Sequence, residues 1–158
     1  MIGWLRGFGR EPVLSEASRR DAAAFAPLHA ASFARGWSEE ELERLLSDRT
    51  VVAHRAMAGN ALAGFILSRL AAGEAEILSV AVASSYRGRG LAQKLLTLHL
   101  RRLVGLGCRT IFLEVDEDNT PARKLYRRAG FGDVGRREAY YGKGPGARAA
   151  LVLRRDLA

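Results

Sequence analysis

Only one cysteine occurs in the 158 residues, so no intrachain disulfide is possible, which suits a reduced compartment. Cys108 follows Gly105-Leu-Gly with no histidine or acid beside it, and the expected role is a small buried residue rather than a nucleophile. No apolar run approaches the ~18 residues that a membrane span requires. The opening segment, Met1 to Arg10, lacks the continuous hydrophobic stretch of a secretory signal. A cytoplasmic location and no membrane partner are therefore expected. His29, His54 and His99 are far apart in sequence and have no metal-ligand spacing, so no metal is expected, and structural or exposed roles are. Lysine is scarce too, three against 22 arginines. The net charge of +8 and pI of about 10.5 point toward anionic partners. The arginines are scattered, however, and form no basic stripe interleaved with aromatics, so direct nucleic-acid binding is not expected.

What is present is ordinary globular material, 48% hydrophobic and 27% charged. The length fits one domain, over 11–158, after a flexible tail at 1–10. There is no internal repeat. Strands are predicted at 11–16, 50–57, 61–70, 74–82, 110–115, 134–140 and 149–154. Helices are predicted at 19–32, 38–47, 91–104 and 119–129. Ser38 with Glu41 forms a capping-box pattern, and Gly59-Asn60 is a hairpin signal. Pro121 sits in a first helical turn, and Gly105, Gly107 and Gly130 stand at helix ends. Segment 74–82 is apolar on both faces, which places it centrally in a sheet. The expected class is mixed α/β, with a sheet of six to seven strands flanked by about four helices and parallel crossings around helix 91–104.

The stretch with the clearest chemistry runs from Val80 to Gln93, Val-Ala-Val-Ala-Ser-Ser-Tyr-Arg-Gly-Arg-Gly-Leu-Ala-Gln. A buried strand ends, two glycines follow, and a helix begins. Amides in a first helical turn have no partner inside the helix and offer an anion site. Gly88 and Gly90 let the backbone approach a ligand closely, and Arg87 and Arg89 add charge for phosphate. The P-loop and the dinucleotide fingerprint require glycine spacings that do not occur in this stretch.

The pattern that does occur, Arg87-x-x-Gly90-x-Ala92, resembles the pyrophosphate-binding motif of the GNAT N-acetyltransferases, Gln/Arg-x-x-Gly-x-Gly/Ala. Asn119 to Phe131 matches that family's Asn-x6-Tyr-x3-Gly-Phe segment. Trp37-Ser-Glu-Glu, Leu113-Glu-Val115 and Arg136-Arg-Glu-Ala-Tyr140-Tyr141 are similar to segments of the RimI-like ribosomal-protein-alanine N-acetyltransferases. The likeness covers about 32–153. Two departures fall on the acceptor side: no proline precedes Trp37, and Ala147-Arg-Ala-Ala stands where an acidic pair is usual.

The resemblance implies the GNAT fold and acetyl-CoA as co-substrate. Val80, Ala81, Val82, Arg87, Gly88, Arg89, Gly90, Leu91, Ala92, Gln93, Asn119 and Tyr126 are the cofactor-binding positions it implies. Glu114 is the implied general base and Tyr126 the implied general acid, while Trp37, Tyr140 and Tyr141 are the candidates for the acceptor groove. The acceptor implied is the N-terminal α-amine, typically alanine, of a ribosomal or other protein. An α-amine titrates near 7.7–8.0 and is partly neutral already, so it asks less of a carboxylate base than lysine does. Acetylation of a lysine or a small amine remains an alternative, as does a non-catalytic CoA-binding or ribosome-associated module. Asn119 is also placed to cap helix 119–129.

Overall fold

The computed structural model describes residues 11–141 and 146–157, with the side chains of 139–141 excepted. Seven strands form one sheet: β1 (Val13–Glu16), β2 (Val51–Ala58), β3 (Ala61–Ala71), β4 (Glu74–Val82), β5 (Thr110–Asp116), β6 (Gly132–Tyr141) and β7 (Arg148–Asp156). Four α-helices flank it: α1 (Ala22–Ser32), α2 (Glu39–Ser47), α3 (Leu91–Gly105) and α4 (Thr120–Arg128). The predicted 19–32 helix divides into a 3-10 turn, Arg19–Asp21, and α1. The Asp21 carboxylate accepts the Ser18 backbone N–H at 2.8 Å, which fixes that entry. Among the described residues, no helix is long and apolar enough to cross a membrane.

The strand order is β1-β2-β3-β4-β5-β7-β6. All neighbours run antiparallel except β4 and β5. The β4–β5 crossover needs a helix to return the chain, and α3 supplies it. Sequence reading leaves the order of the last strands open. In the fold, β7 inserts between β5 and β6, pairing with β5 along its whole length from Thr110↔Asp156 to Asp116↔Ala150.

The sheet separates two apolar layers. On one face Leu91, Leu95, Leu96, Leu100 and Leu103 of α3 meet Ile66, Ile77, Ile111, Leu113, Val115 and Leu153, and Tyr126 of α4 joins them. On the other face Phe25 of α1 and Leu42 of α2 pack on Ala53, Phe65, Leu67 and Ala81. Leucines at helical spacing put one face of α3 against β2, β3 and β4. At α2 the Ser38 side chain accepts the Glu41 N–H at 3.1 Å, so the sequence cap is made on one side. Trp37 stacks on His29 with ring centroids 4.2 Å apart. Its backbone N–H donates to His29 Nδ1 at 3.0 Å, which joins the loop before α2 to α1.

Two irregularities of β4 prepare the site. Its parallel pairing with β5 runs only from Glu74↔Thr110 to Ile77↔Leu113. Beyond that the strands part, leaving one backbone edge of 78–82 without a strand neighbour. At the same place the β3–β4 ladder skips a residue. Ile77 faces Ser68 and Ser79 faces Leu67, so Leu78 is extra. Such a bulge bends a strand and shifts its alternation by one. Ile77, before it, belongs to the α3 layer, and so do Val80 and Val82. Leu78 and Ala81 belong to the α1/α2 layer.

Candidate active site

Two cavities meet in the gap between β4 and β5. The first, about 630 Å³, is lined by Val80, Ala81 and Val82 of β4, Arg87, Gly88 and Gly90 of the following loop, Leu91, Ala92 and Gln93 of α3, and Asn119, Ala122 and Tyr126 around α4. That volume lies within the usual range of small-molecule sites. The second, about 440 Å³, opens on the other side of the gap. Its wall includes Leu78, Ser79 and Val80 on one strand and Leu113, Glu114 and Asp116 on the other, with Asp118 and Arg148 at the rim. Tyr126 and Val80 line both cavities and mark where they join.

The first cavity is bounded at one end by the glycine loop. Gly88 and Gly90 adopt φ of 75° and 76°, the left-handed region that glycine enters without penalty. No atom lies within 4 Å of where a Cβ would stand at either one, so space remains in front of the loop for a ligand. Gly90 precedes α3 directly, and the N–H groups of the first helical turn open toward this space. The Arg87 Nε donates to the Val82 carbonyl at 3.0 Å, tying the loop to the end of β4. Arg89 lies over the Tyr86 ring, 5.5 Å from its centroid, and is not in the cavity wall. On the opposite side the Asn119 side chain accepts the Ala122 N–H at 3.2 Å and caps α4.

Tyr126 is 7% exposed. Its ring meets Phe131 edge-on at 5.7 Å. Burial pushes its hydroxyl well above the ordinary phenol range, so it keeps its proton at all working pH values and stands as a donor at the junction. Glu114 follows from strand alternation. Ile111, Leu113 and Val115 point into the α3 layer, so Glu114 and Asp116 point to the other side, into the second cavity. The Glu114 carboxylate is 20% exposed and pairs with Arg137 Nε at 3.2 Å.

The short acidic run after β5 is less solvated than its composition suggests. Asp116 pairs with Arg148 at 2.6 Å. Glu117 accepts the Ala149 backbone N–H at 3.1 Å and pairs with Arg136. That amide and the guanidinium hold its carboxyl below the usual range. These contacts fasten the β5–α4 loop to the start of β7.

Of the acceptor-groove candidates, Trp37 lines neither cavity, its ring being taken up by His29. The backbones of Tyr140 and Tyr141 lie in β6, and their side chains lie outside the described residues, as do 1–10 and 142–145. Residues that sequence reading overlooked are Ser32 and Phe33 at the end of α1, which line both cavities, and Ser79. Nothing local marks them, because the parting of β4 and β5 brings them to the site. Cys108 is buried, its thiol donates to the Thr110 carbonyl at 3.3 Å, and burial raises its pKa. Among the described residues no group of three His, Cys, Asp or Glu could hold a metal ion.

Comparison with known proteins bears on this arrangement. Residues 22–131 match the sequence profile of the Acetyltransferase (GNAT) family. A ribosomal protein bS18-alanine N-acetyltransferase of Haemophilus ducreyi is 38% identical over 80 residues, which is 51% of this chain and 55% of that protein. Its namesake in Haemophilus influenzae is 35% identical over 94 residues, 60% of this chain and 64% of that protein. These matches thus span less than two thirds of either relative. The crystal structure of the ribosomal-protein-S18-alanine N-acetyltransferase from Escherichia coli superposes with a TM-score of 0.86 at 24% identity, covering 93% of this chain and 94% of that one.

Proposed function

The chain belongs to the GNAT acetyltransferase family, and we propose that it transfers the acetyl group of acetyl-CoA to a protein N-terminal α-amine. The observation that carries this reading is the meeting of two unlike cavities at Tyr126. One is lined by the glycine loop and the start of α3, the other by Glu114, Asp116 and Asp118. An anionic co-substrate suits the first and an incoming amine suits the second.

In this reading the glycine loop, with Arg87 beside it, holds the pyrophosphate of acetyl-CoA. The open edge of 80–82, apart from the Val82 carbonyl that Arg87 engages, can pair with an amide-bearing arm. Acetyl-CoA supplies an activated thioester, and the chain orients an amine against it, which accounts for much of the acceleration in a two-substrate reaction. Glu114 receives the amine's surplus proton. Tyr126 faces the departing sulfur. Its raised pKa makes it first a hydrogen-bond donor to the thiolate and only then a proton source, because a thiol of pKa about 8.5 is the stronger acid.

The α-amine acceptor, alanine above all, is supported by the two Haemophilus relatives, each named for alanine N-acetylation of a ribosomal protein. A ribosomal protein is the partner we propose. The test uses two peptides with acetyl-CoA and the purified chain, read by mass spectrometry. One has a free N-terminal alanine and no lysine; the other is blocked at its N-terminus and has one lysine. Acetylation of the first alone is expected. Acetylation of the second alone moves the acceptor to lysine. If neither gains mass while acetyl-CoA binds, the peptide-acceptor reading falls.

A further inference from the structure

Ser79 carries a buried hydroxyl, in the wall of the second cavity, for which the described residues supply no partner. It is 4% exposed, and its Oγ is buried without a hydrogen-bond partner. Leaving a buried hydroxyl unpaired is unfavourable, so such a group calls for an explanation. Other buried polar side chains nearby do have partners. Ser68, on the neighbouring strand, meets His99 Nε2 at 2.7 Å, and His54 meets His99 at 2.8 Å. The register of β4 also decides which side of the sheet Ser79 lies on. Without the extra residue at Leu78, strict alternation from Ile77 would turn Ser79 into the α3 layer. With it, Ser79 lies on the side of the second cavity and forms part of its wall, with Glu114 on the other strand wall. Val80, the next residue, lines both cavities, which places Ser79 one residue from their junction.

We propose that Ser79 is an acceptor-binding residue: its Oγ accepts a hydrogen bond from the attacking amine, across the gap from Glu114. The proposal rests on the transferase reading above. The nitrogen lone pair forms the N–C bond to the acetyl carbonyl and the C–S bond breaks. The surplus N–H proton passes to Glu114, and the departing sulfur is met by the Tyr126 hydroxyl. A hydrogen bond from one N–H to Ser79 leaves the lone pair free to point at the carbonyl carbon. It also restrains the nitrogen's rotation, so Ser79 contributes orientation and not proton transfer.

The test is Ser79→Ala, which removes one oxygen and adds no bulk. Steady-state kinetics are measured separately for acetyl-CoA and for whichever amine the wild type acetylates, beside Tm and the Kd for acetyl-CoA. Deleting a hydrogen bond to substrate is expected to raise the acceptor KM roughly five- to tenfold. The acetyl-CoA Kd should not change, and Tm should hold or rise because an unpaired hydroxyl has been removed. An unchanged acceptor KM and kcat in an active enzyme overturns the proposal. So does a lowered Tm with both substrates affected equally, which would make Ser79 structural. Failure of the transferase reading looks different: the wild type itself then acetylates no amine, and this assignment falls with it.

Discussion

Tyr126 combines burial, a raised pKa and a place at the junction of two cavities. Tyr126→Phe keeps the ring and its edge-on contact with Phe131, so the fold and acetyl-CoA affinity should persist. Loss of the donor is expected to lower kcat by roughly two orders of magnitude, measured by release of free thiol under saturating substrates. His99 has a different consequence. It is fully buried, and desolvation, followed by the charge of His54, pushes its pKa down to about 3. The unfolded chain binds this proton near pH 6.5, so between pH 6.5 and 3 the unfolded state carries more protons than the folded one. Stability from this group is therefore complete above pH 6.5 and is lost on acidification, with a limiting slope of about 1.4 kcal/mol per pH unit. Burial lowers His54 and His29 as well. Thermal melts from pH 7 to pH 4.5 should show Tm falling, and His99→Gln should flatten that fall. A single sequence shows the three histidines as lacking metal spacing. It does not show that two of them face each other in the core, since His54 and His99 meet only when α3 settles on β2.

At the level of elements, the glycine loop was the most legible part of the site, because its chemistry is local. A strand, two glycines and a helix start can be read in that order from the sequence alone, and β4, Gly88, Gly90 and α3 follow in that order in the fold. Gly90 stands at φ 76°. An alanine there costs about 1–2 kcal/mol of backbone strain, and its Cβ projects into the space left for the ligand. Gly90→Ala should weaken acetyl-CoA binding by about tenfold or more, as titration calorimetry would show, with a smaller loss in Tm. The capping residues at Ser38 and Asn119 were legible for the same reason. The bulge at Leu78 was not. Segment 74–82 reads as apolar on both faces, which says that the strand is central but hides where its alternation slips. The divergence of β4 from β5 is likewise a property of two strands held apart by what each packs on, and no window of one strand records it. Trp37 illustrates the converse: its sequence context suggested the acceptor groove, whereas its ring is stacked on His29.

For the molecule as a whole, the excess of arginine has one measurable effect. A chain of net charge +8 draws in an anionic co-substrate, and salt screens that attraction. The value of kcat/KM for acetyl-CoA should fall as salt is added while kcat stays level, in stopped-time assays at fixed pH. Charge distribution could not be judged from the sequence. Several arginines that look free there are engaged in ion pairs, such as Arg148 with Asp116 and Arg55 with Asp21.

The insertion of β7 between β5 and β6 also bears on how the protein is made. Of the seven strands, β7 comes last in chain order, yet it occupies an interior position and pairs along the whole of β5. During synthesis the chain emerges N-terminus first, so β1 to β4 and α3 can assemble early. The wall that carries Glu114 must wait for residues 148–156 to follow. Until then β6 has no strand beside it and β5 keeps only its four-residue pairing with β4. Nascent chains halted before residue 148 should accordingly be cut by protease within 110–141 and spared within β2 to β4. The half of the molecule that carries the glycine loop would thus be built before the wall that carries Glu114, and the two cavities would meet only once translation has passed the last strand.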